Sequence, residues 1–210
     1  MKKVFLGIFS LMLLISCAPS AKFIAPDYSK PASMAILPTI NYTTDVTGGI
    51  VFRNLFFTKL SEKEYTHLIS NENVDSLLNQ QGITDGGQLK TIENEELFNL
   101  LRVEGLIFID LLECEYQTLG ISEKRKIKAT FSLLLPPSKL AWEDEREESR
   151  GKSGFGTLLG VLANPKKTMG ESADDLKKQV KEKGAKMWLL DHELFPEMEA
   201  VINTTLKTLP

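Results

Sequence analysis

Apolar residues along this chain fall into two kinds of run, continuous and periodic. The first continuous run, Val4–Ile15, follows Lys2 and Lys3. It is too short to span a bilayer and has the length and flanks of a signal-peptide core. Ser33–Leu37 (SMAIL) is a second short run, closed by Pro38, and fits a buried strand. Thr39–Gly49 is polar and reads as a loop. Ile50–Lys63 then shows helical spacing, with Phe52, Phe56 and Leu60 on one stripe and Leu55 beside them. Tyr65–Ile69 reads as a strand. Asn71 is placed to cap a helix carrying Val74, Leu77 and Leu78, with Gly82 as its stop. Asp85-Gly86-Gly87 is a turn. A further helix is expected over Ile92–Glu104, with Leu97, Leu100 and Leu101 inward, ending at Gly105.

From there the period changes. Leu106–Ile109 is a continuous apolar run, as expected of a strand covered on both faces. Beyond it the pattern alternates, with Leu112, Cys114 and Tyr116 on one face and Glu113, Glu115 and Gln117 on the other. Ile127, Ala129, Phe131, Leu133 and Leu135 alternate against Lys126, Lys128, Thr130 and Ser132, the pattern of a half-exposed strand. Pro136-Pro137-Ser138-Lys139 turns the chain into a third strand, Leu140–Glu147. The order β-α-β-α-α-β-β-β predicts an α/β fold: one domain whose mixed sheet ends in a meander and is flanked by helices. The stretch Arg150–Gly170 is glycine-rich, with a short apolar helix expected at Leu158–Leu162. Ser172–Lys183 reads as a solvated helix, and Pro196 suits the first turn of a last one with Met198, Val201, Ile202 and Leu206 inward.

The junction after the first apolar run changes the picture. Leu14-Ile15-Ser16-Cys17 resembles the bacterial lipobox: a branched apolar residue, a variable one, a small one, then cysteine. The resemblance implies a diacylglycerol on the Cys17 sulfur, cleavage after Ser16 and acylation of the new amine. An ordinary signal peptide with a chance cysteine is the plainer alternative, and position, flanks and spacing all weigh against it. Ala18 follows the cysteine where retention at the inner membrane is associated with Asp, which implies the outer membrane. The chain therefore divides into a signal peptide (1–16), a lipidated tether (17–32) rich in small residues and proline, and an α/β domain (33–210).

Of the 210 residues, 25 are basic and 28 acidic; without Lys2 and Lys3 the formal charge is −5. No strong basic field exists, so a nucleic-acid partner is not expected. Once Cys17 is lipidated, Cys114 is the sole thiol left and no internal disulfide can form. Cys114 falls on an inward strand position, where cysteine acts as a small hydrophobe rather than as a nucleophile paired with histidine. His67 and His192 lie far apart in sequence and outside any metal-spacing motif, so neither a metal nor a cofactor is expected. Gly151-Lys152-Ser153 echoes a P-loop but Arg146 stands where that motif needs glycine. Gly154, Gly156 and Gly160 miss the dinucleotide spacing. Glu143–Glu148 (EDEREE) reads as a charged edge that blocks unwanted strand pairing. The polar Asn41–Val46 loop precedes a helix N-terminus, a place that can receive an anion, and is expected instead to cap the helix.

The arrangement of Ala35-Ile36-Leu37-Pro38, then Asn41–Val46, a helix, a tyrosine-led strand at Tyr65, the Val74–Gly82 helix, the Gly105–Ile109 strand and Leu140-Ala141-Trp142 resembles a family of bacterial lipoproteins of unknown function, typified by a meningococcal surface antigen. The resemblance covers roughly residues 33–165 and rests on structural patterns rather than catalytic signatures. Pro136–Lys139 departs from it, standing where the family has Asp, Thr and Gly, and the C-terminal forty residues match poorly. The family is similar in fold to the N-terminal domain of TolB and to LpoB, the lipoprotein activator of a peptidoglycan synthase, both of which act by binding proteins. The resemblance implies a non-enzymatic protein held by lipid at the outer membrane, its domain in the periplasm, docking on an envelope protein. Phe155, Leu158, Leu159, Val161 and Leu162 form the candidate contact segment. The alternative is a periplasmic small-molecule binder or hydrolase, which requires a concave polar site beside Asn41–Asp45.

Overall fold

A computed structural model of the chain describes residues 19–119, 122–152 and 192–210. Cys17 and the 155–162 segment, together with the helices expected at 158–162 and 172–183, lie outside the described residues.

The core of the fold is the strand β2 (Ser33–Ile36) and its neighbours. Met34, Ala35 and Ile36 are all fully buried because helices cover both faces of the sheet, which is why this strand reads as continuous rather than alternating. In chain order the elements are β1 (Phe23–Ile24), β2, β3 (Ile40–Asn41), α1 (Gly48–Glu62), β4 (His67–Leu68), α2 (Asn71–Gln80), a 3₁₀ helix (Gly86–Thr91), α3 (Asn94–Leu101), β5 (Gly105–Leu119), β6 (Ser122–Leu135), β7 (Lys139–Lys152) and α4 (Phe195–Thr205). The strands form one mixed sheet in the order β1-β7-β6-β5-β2-β4, with β3 also on β5. β2, β3 and β4 run parallel to their neighbours, and β5, β6, β7 and β1 pair antiparallel. This is the mixed α/β architecture that the sequence pattern predicts.

One face of the sheet is covered by α1 and α4. Phe52 and Phe56, one turn apart on α1, bracket Phe131 of β6 with ring centroids at 5.8 and 5.3 Å. Met198, Val201 and Ile202 of α4 complete this cluster. The opposite face packs Ala35, Leu37 and Leu106 against Val74 and Leu78 of α2 and Leu97, Phe98 and Leu101 of α3. Arg53 ties the two sides together. Its buried guanidinium donates through Nε and Nη2 to the Ile36 carbonyl (3.1 and 2.8 Å) and through Nη1 to Asp75 on α2 (2.6 Å).

Several local expectations are corrected by the structure. The loop after Pro38 contains β3, two residues long and therefore without a readable period. Ser70 rather than Asn71 caps α2, its hydroxyl accepting from the Asn73 N–H, while Asn71 is buried and donates to the Asn54 side chain at 2.9 Å. The turn at Asp85-Gly86-Gly87 opens a 3₁₀ helix with a reciprocal Asp85/Gln88 capping box. Gly86 lies so close to the Thr39 carbonyl that any side chain there would collide with backbone. The helix expected over 92–104 is shorter, because Arg102 takes the left-handed conformation (φ 53°) and ends it.

At the far edge, β1 pairs with β7 at Trp142 and Glu143, so the sheet begins within the stretch read as tether. The acidic run is not a bare solvated edge: Lys22 bridges Glu143 at 2.6 Å. Asp144 is buried and accepts from Arg146 Nε (2.8 Å) and Thr208 Oγ1 (2.6 Å).

The strand β5 carries one irregularity beside the Asp45 loop. Leu111 pairs with Ala129 and Glu113 with Lys128, leaving Leu112 as a bulge. Ile107, Ile109 and Leu111 face the α1 side, and the extra residue resets the parity so that Cys114 joins the same core.

Candidate functional site

Asp45 stands in the loop between β3 and α1, and the loop is held by its own side chains. Asn41 Oδ1 accepts from the Thr43 N–H (3.0 Å) and hydroxyl (2.8 Å), and Asn41 Nδ2 donates to the Asp45 carbonyl (2.7 Å). Asp45 Oδ1 then accepts from the backbone N–H groups of Thr47 (3.0 Å) and Gly48 (2.9 Å) and from the Thr47 hydroxyl (3.0 Å). The carboxylate thus satisfies donors at the start of α1 and lies at the positive end of its dipole. The expected capping function of this loop is therefore performed by Asp45.

The second oxygen of the same carboxylate is used differently. Asp45 Oδ2 lies 2.8 Å from His192 Nε2 and accepts from the Cys114 thiol at 3.5 Å. His192 Nδ1 accepts from the Leu194 N–H at 3.2 Å, which assigns the ring proton to Nε2. These three side chains come from the β3–α1 loop, from β5 just past the bulge, and from the turn that leads into α4. A cavity of about 380 Å³ opens beside them, lined also by Thr47, Val51 and Tyr116. A second cavity of about 510 Å³ lies beside Asp110 and Lys90, where burial raises the Asp110 carboxyl above its ordinary range and Lys90 opposes the shift.

The electrostatics of the cluster define what its thiol can do. Burial pushes the Cys114 thiol up to about 12, and the adjacent Asp45 charge adds to the shift. Burial also works against the Asp45 charge, but the Gly48 N–H, the Thr47 hydroxyl and His192 outweigh it and hold that carboxyl below the ordinary carboxylate range. A depressed folded-state value means that this contribution to stability is present above the ordinary aspartate pKa. It is lost as pH falls through the folded value. Alkylation of Cys114 by iodoacetamide at pH 8 with a chelator present is therefore expected to be slow. It should run roughly 100-fold or more below the rate in urea-unfolded protein, because only the thiolate reacts. Comparable rates in the two states would show that the thiol is not held this way.

The sequence reading of Cys114 as a small buried hydrophobe describes half of its position: it is 7% exposed, part of the core and also part of a cavity wall. His67 stays apart, exposed on β4. Neither histidine lies in a metal-spacing motif, but the fold brings His192 against Asp45 and Cys114. Its partners are 69 and 147 positions apart (Cys114–Asp45 and His192–Asp45), so no local spacing announces them. The one legible signal is an aspartate three residues before a glycine at a helix start.

A mixed-sheet α/β domain with helices on both faces is the architecture of a class of bacterial lipoproteins. The chain belongs to the family described as "Putative lipoprotein GNA1162-like", which it matches over residues 22–187. It is 26% identical over 175 residues to the "Putative lipoprotein NMB1124/NMB1162" of Neisseria meningitidis serogroup B (strain ATCC BAA-335 / MC58), a match covering 78% of this chain and 79% of that one. The crystal structure of lipoprotein GNA1162 from Neisseria meningitidis has the same fold, with a TM-score of 0.54 and 20% identity, covering 64% of this chain and 97% of that one. The LpoB C-terminal domain from Salmonella enterica is a more distant likeness, with a TM-score of 0.43 and 11% identity over 60% of this chain and 88% of that one. Nothing about function follows at that distance. Among the described residues no helix is long and apolar enough to cross a membrane.

Proposed function

We propose that this chain is a lipid-anchored envelope protein whose domain docks onto another envelope protein and catalyses no reaction. Acyl chains on Cys17 hold it at the outer membrane with the α/β domain in the periplasm, the residues between Cys17 and β1 serving as tether into the domain. The observation that carries the reading is Leu14-Ile15-Ser16-Cys17 at the head of a chain whose family is one of lipoproteins.

The Asp45 cluster is not arranged as a cysteine-nucleophile site. A cysteine nucleophile needs a base against its sulfur and a lowered pKa. Here the carboxylate stands between thiol and imidazole, and the thiol is shifted upward. Val46 and Ile50, beside the cavity-lining Thr47 and Val51, are 82% and 54% exposed, and Tyr116 in the cavity wall is 39% exposed. These apolar groups and the Phe155, Leu158, Leu159, Val161 and Leu162 segment are the candidate contacts for a protein partner. The cavity beside Asn41–Asp45 favours the second reading, binding of a small ligand, since that reading requires a concave polar site at this loop.

Photocrosslinking in cells from residues 155–162 and from position 50, followed by mass spectrometry, tests the proposal. The expected result is one recurrent envelope protein crosslinked from both regions. Self-crosslinks alone, or none, would remove the docking function.

A further inference from the structure

Three side chains of three donor types converge at the Asp45 cavity, and one arrangement of them goes beyond hydrogen bonding. Asp45 Oδ2, Cys114 Sγ and His192 each offer a ligand atom, all within 4.8 Å of one another. With metal–sulfur bonds of about 2.3 Å and metal–nitrogen or –oxygen bonds of about 2.0 Å, a tetrahedral site places sulfur about 3.5 Å from oxygen and nitrogen about 3.3 Å from oxygen. The observed separations are 3.5 Å for Cys114 Sγ to Asp45 Oδ2 and 2.8 Å for His192 Nε2 to Asp45 Oδ2. Of these two, the second must widen, by about half an ångström, and the Cys114 and His192 ligand atoms lie within 4.8 Å of each other.

The surroundings favour an ion as well. Asp45 Oδ1 is held by the Thr47 and Gly48 N–H groups and the Thr47 hydroxyl, outer contacts of the kind that orient a ligating carboxylate. Gly48 has no side chain beside the Cys114 sulfur, where a Cβ would come within 3.0 Å. The cavity gives solvent access to a fourth position.

We infer that Asp45, Cys114 and His192 form a binding site for a divalent transition metal of the zinc type, completed by one water from the cavity. The donor set of thiolate, imidazole and carboxylate suits that ion rather than calcium or magnesium, which take oxygen ligands. Binding balances as follows. The Cys114 thiol releases its proton to solvent and the thiolate bonds the metal. The His192 proton moves from Nε2 to Nδ1, freeing Nε2 as a ligand and giving up the Leu194 N–H as a donor to Nδ1. Asp45 is already ionised. One proton leaves per metal bound, and the two anionic ligands neutralise the dication. The site would clamp the start of α4 to α1 and the β5–β6 hairpin. This inference does not depend on the chain's having a protein partner.

The test uses the mature lipoprotein in detergent, stripped with chelator and titrated with Co²⁺ as the spectroscopic probe. The expected result is a near-ultraviolet thiolate-to-cobalt charge-transfer band that saturates at one ion per chain, is displaced by Zn²⁺ and accompanies release of one proton. Cys114→Ser should abolish the band, and Thr47→Val, which removes one outer contact to Asp45, should weaken Zn²⁺ binding by on the order of 10-fold. A folded wild-type protein that gives no such band, or a band that survives in Cys114→Ser, would reduce the cluster to a hydrogen-bond chain and overturn the site. The wild-type titration decides the question even where a variant fails to fold.

Discussion

Replacing Cys17 by serine is expected to abolish acylation and remove the protein from the outer-membrane fraction. The physical reason is the size of the term that disappears. Each buried CH₂ of an acyl chain contributes roughly 0.8 kcal/mol, so a single chain binds a bilayer only reversibly while several chains hold it stably. Three chains are implied at Cys17, and serine has no thiol to carry the first of them. Unprocessed precursor keeps the apolar stretch Val4–Ile15 and can remain with the inner membrane, so total membrane sedimentation is a poor readout. The measurements are the intact mass of the N-terminal peptide and recovery after separation of the two membranes. An unmodified thiol at residue 17 in native material would end the lipoprotein reading. So would undiminished outer-membrane recovery of Cys17→Ser.

Phe131→Ala should be among the most damaging single changes within the domain, costing about 3–5 kcal/mol. The ring is fully buried at the centre of the larger core cluster, stacked on Phe56 and tilted against Phe52. Truncation leaves a cavity walled by two aromatic rings on a rigid helix, which cannot collapse to fill it. Against the total stability of about 5–15 kcal/mol usual for a domain, such a loss leaves a small margin. Val46→Ser serves as the control. That side chain is 82% exposed, and a change of less than about 0.5 kcal/mol is expected. Urea unfolding of both variants without the lipid measures the difference, read from the midpoint at constant slope. A Phe131→Ala midpoint close to that of the parent would mean that β6 does not pack on α1 as described.

The elements that were legible in the sequence are those long enough to show a period. The stripe Phe52, Phe56 and Leu60 marks α1 because a helix covered on one side must repeat its apolar face every three to four residues. The alternation of Ile127, Ala129, Phe131 and Leu133 marks β6, and all four are buried. Two-residue strands have no period, so β1 and β3 could not be read from Phe23–Ile24 or Ile40–Asn41. Asp144 was hidden for a related reason. In a run of charges, local pattern cannot distinguish the member that Thr208 and Arg146 will enclose.

The candidate site separates along the same line. The capping role that Asp45 performs was legible for its loop, Asn41–Val46, since a helix start needs an acceptor nearby in sequence. The use of the second Asp45 oxygen was not, because the groups that meet it arrive by folding: Cys114 through a bulge that resets strand parity, His192 from beyond β7 and ahead of α4. The sequence by itself determined the fold class and the core-facing stripes, properties of stretches in contact with water or core, and it carries the lipobox-like motif at Cys17. Only the tertiary structure decided that an aspartate, a cysteine and a histidine share one cavity. Such a meeting depends on long-range strand pairing and helix docking, which burial enforces across the whole domain and no local spacing encodes.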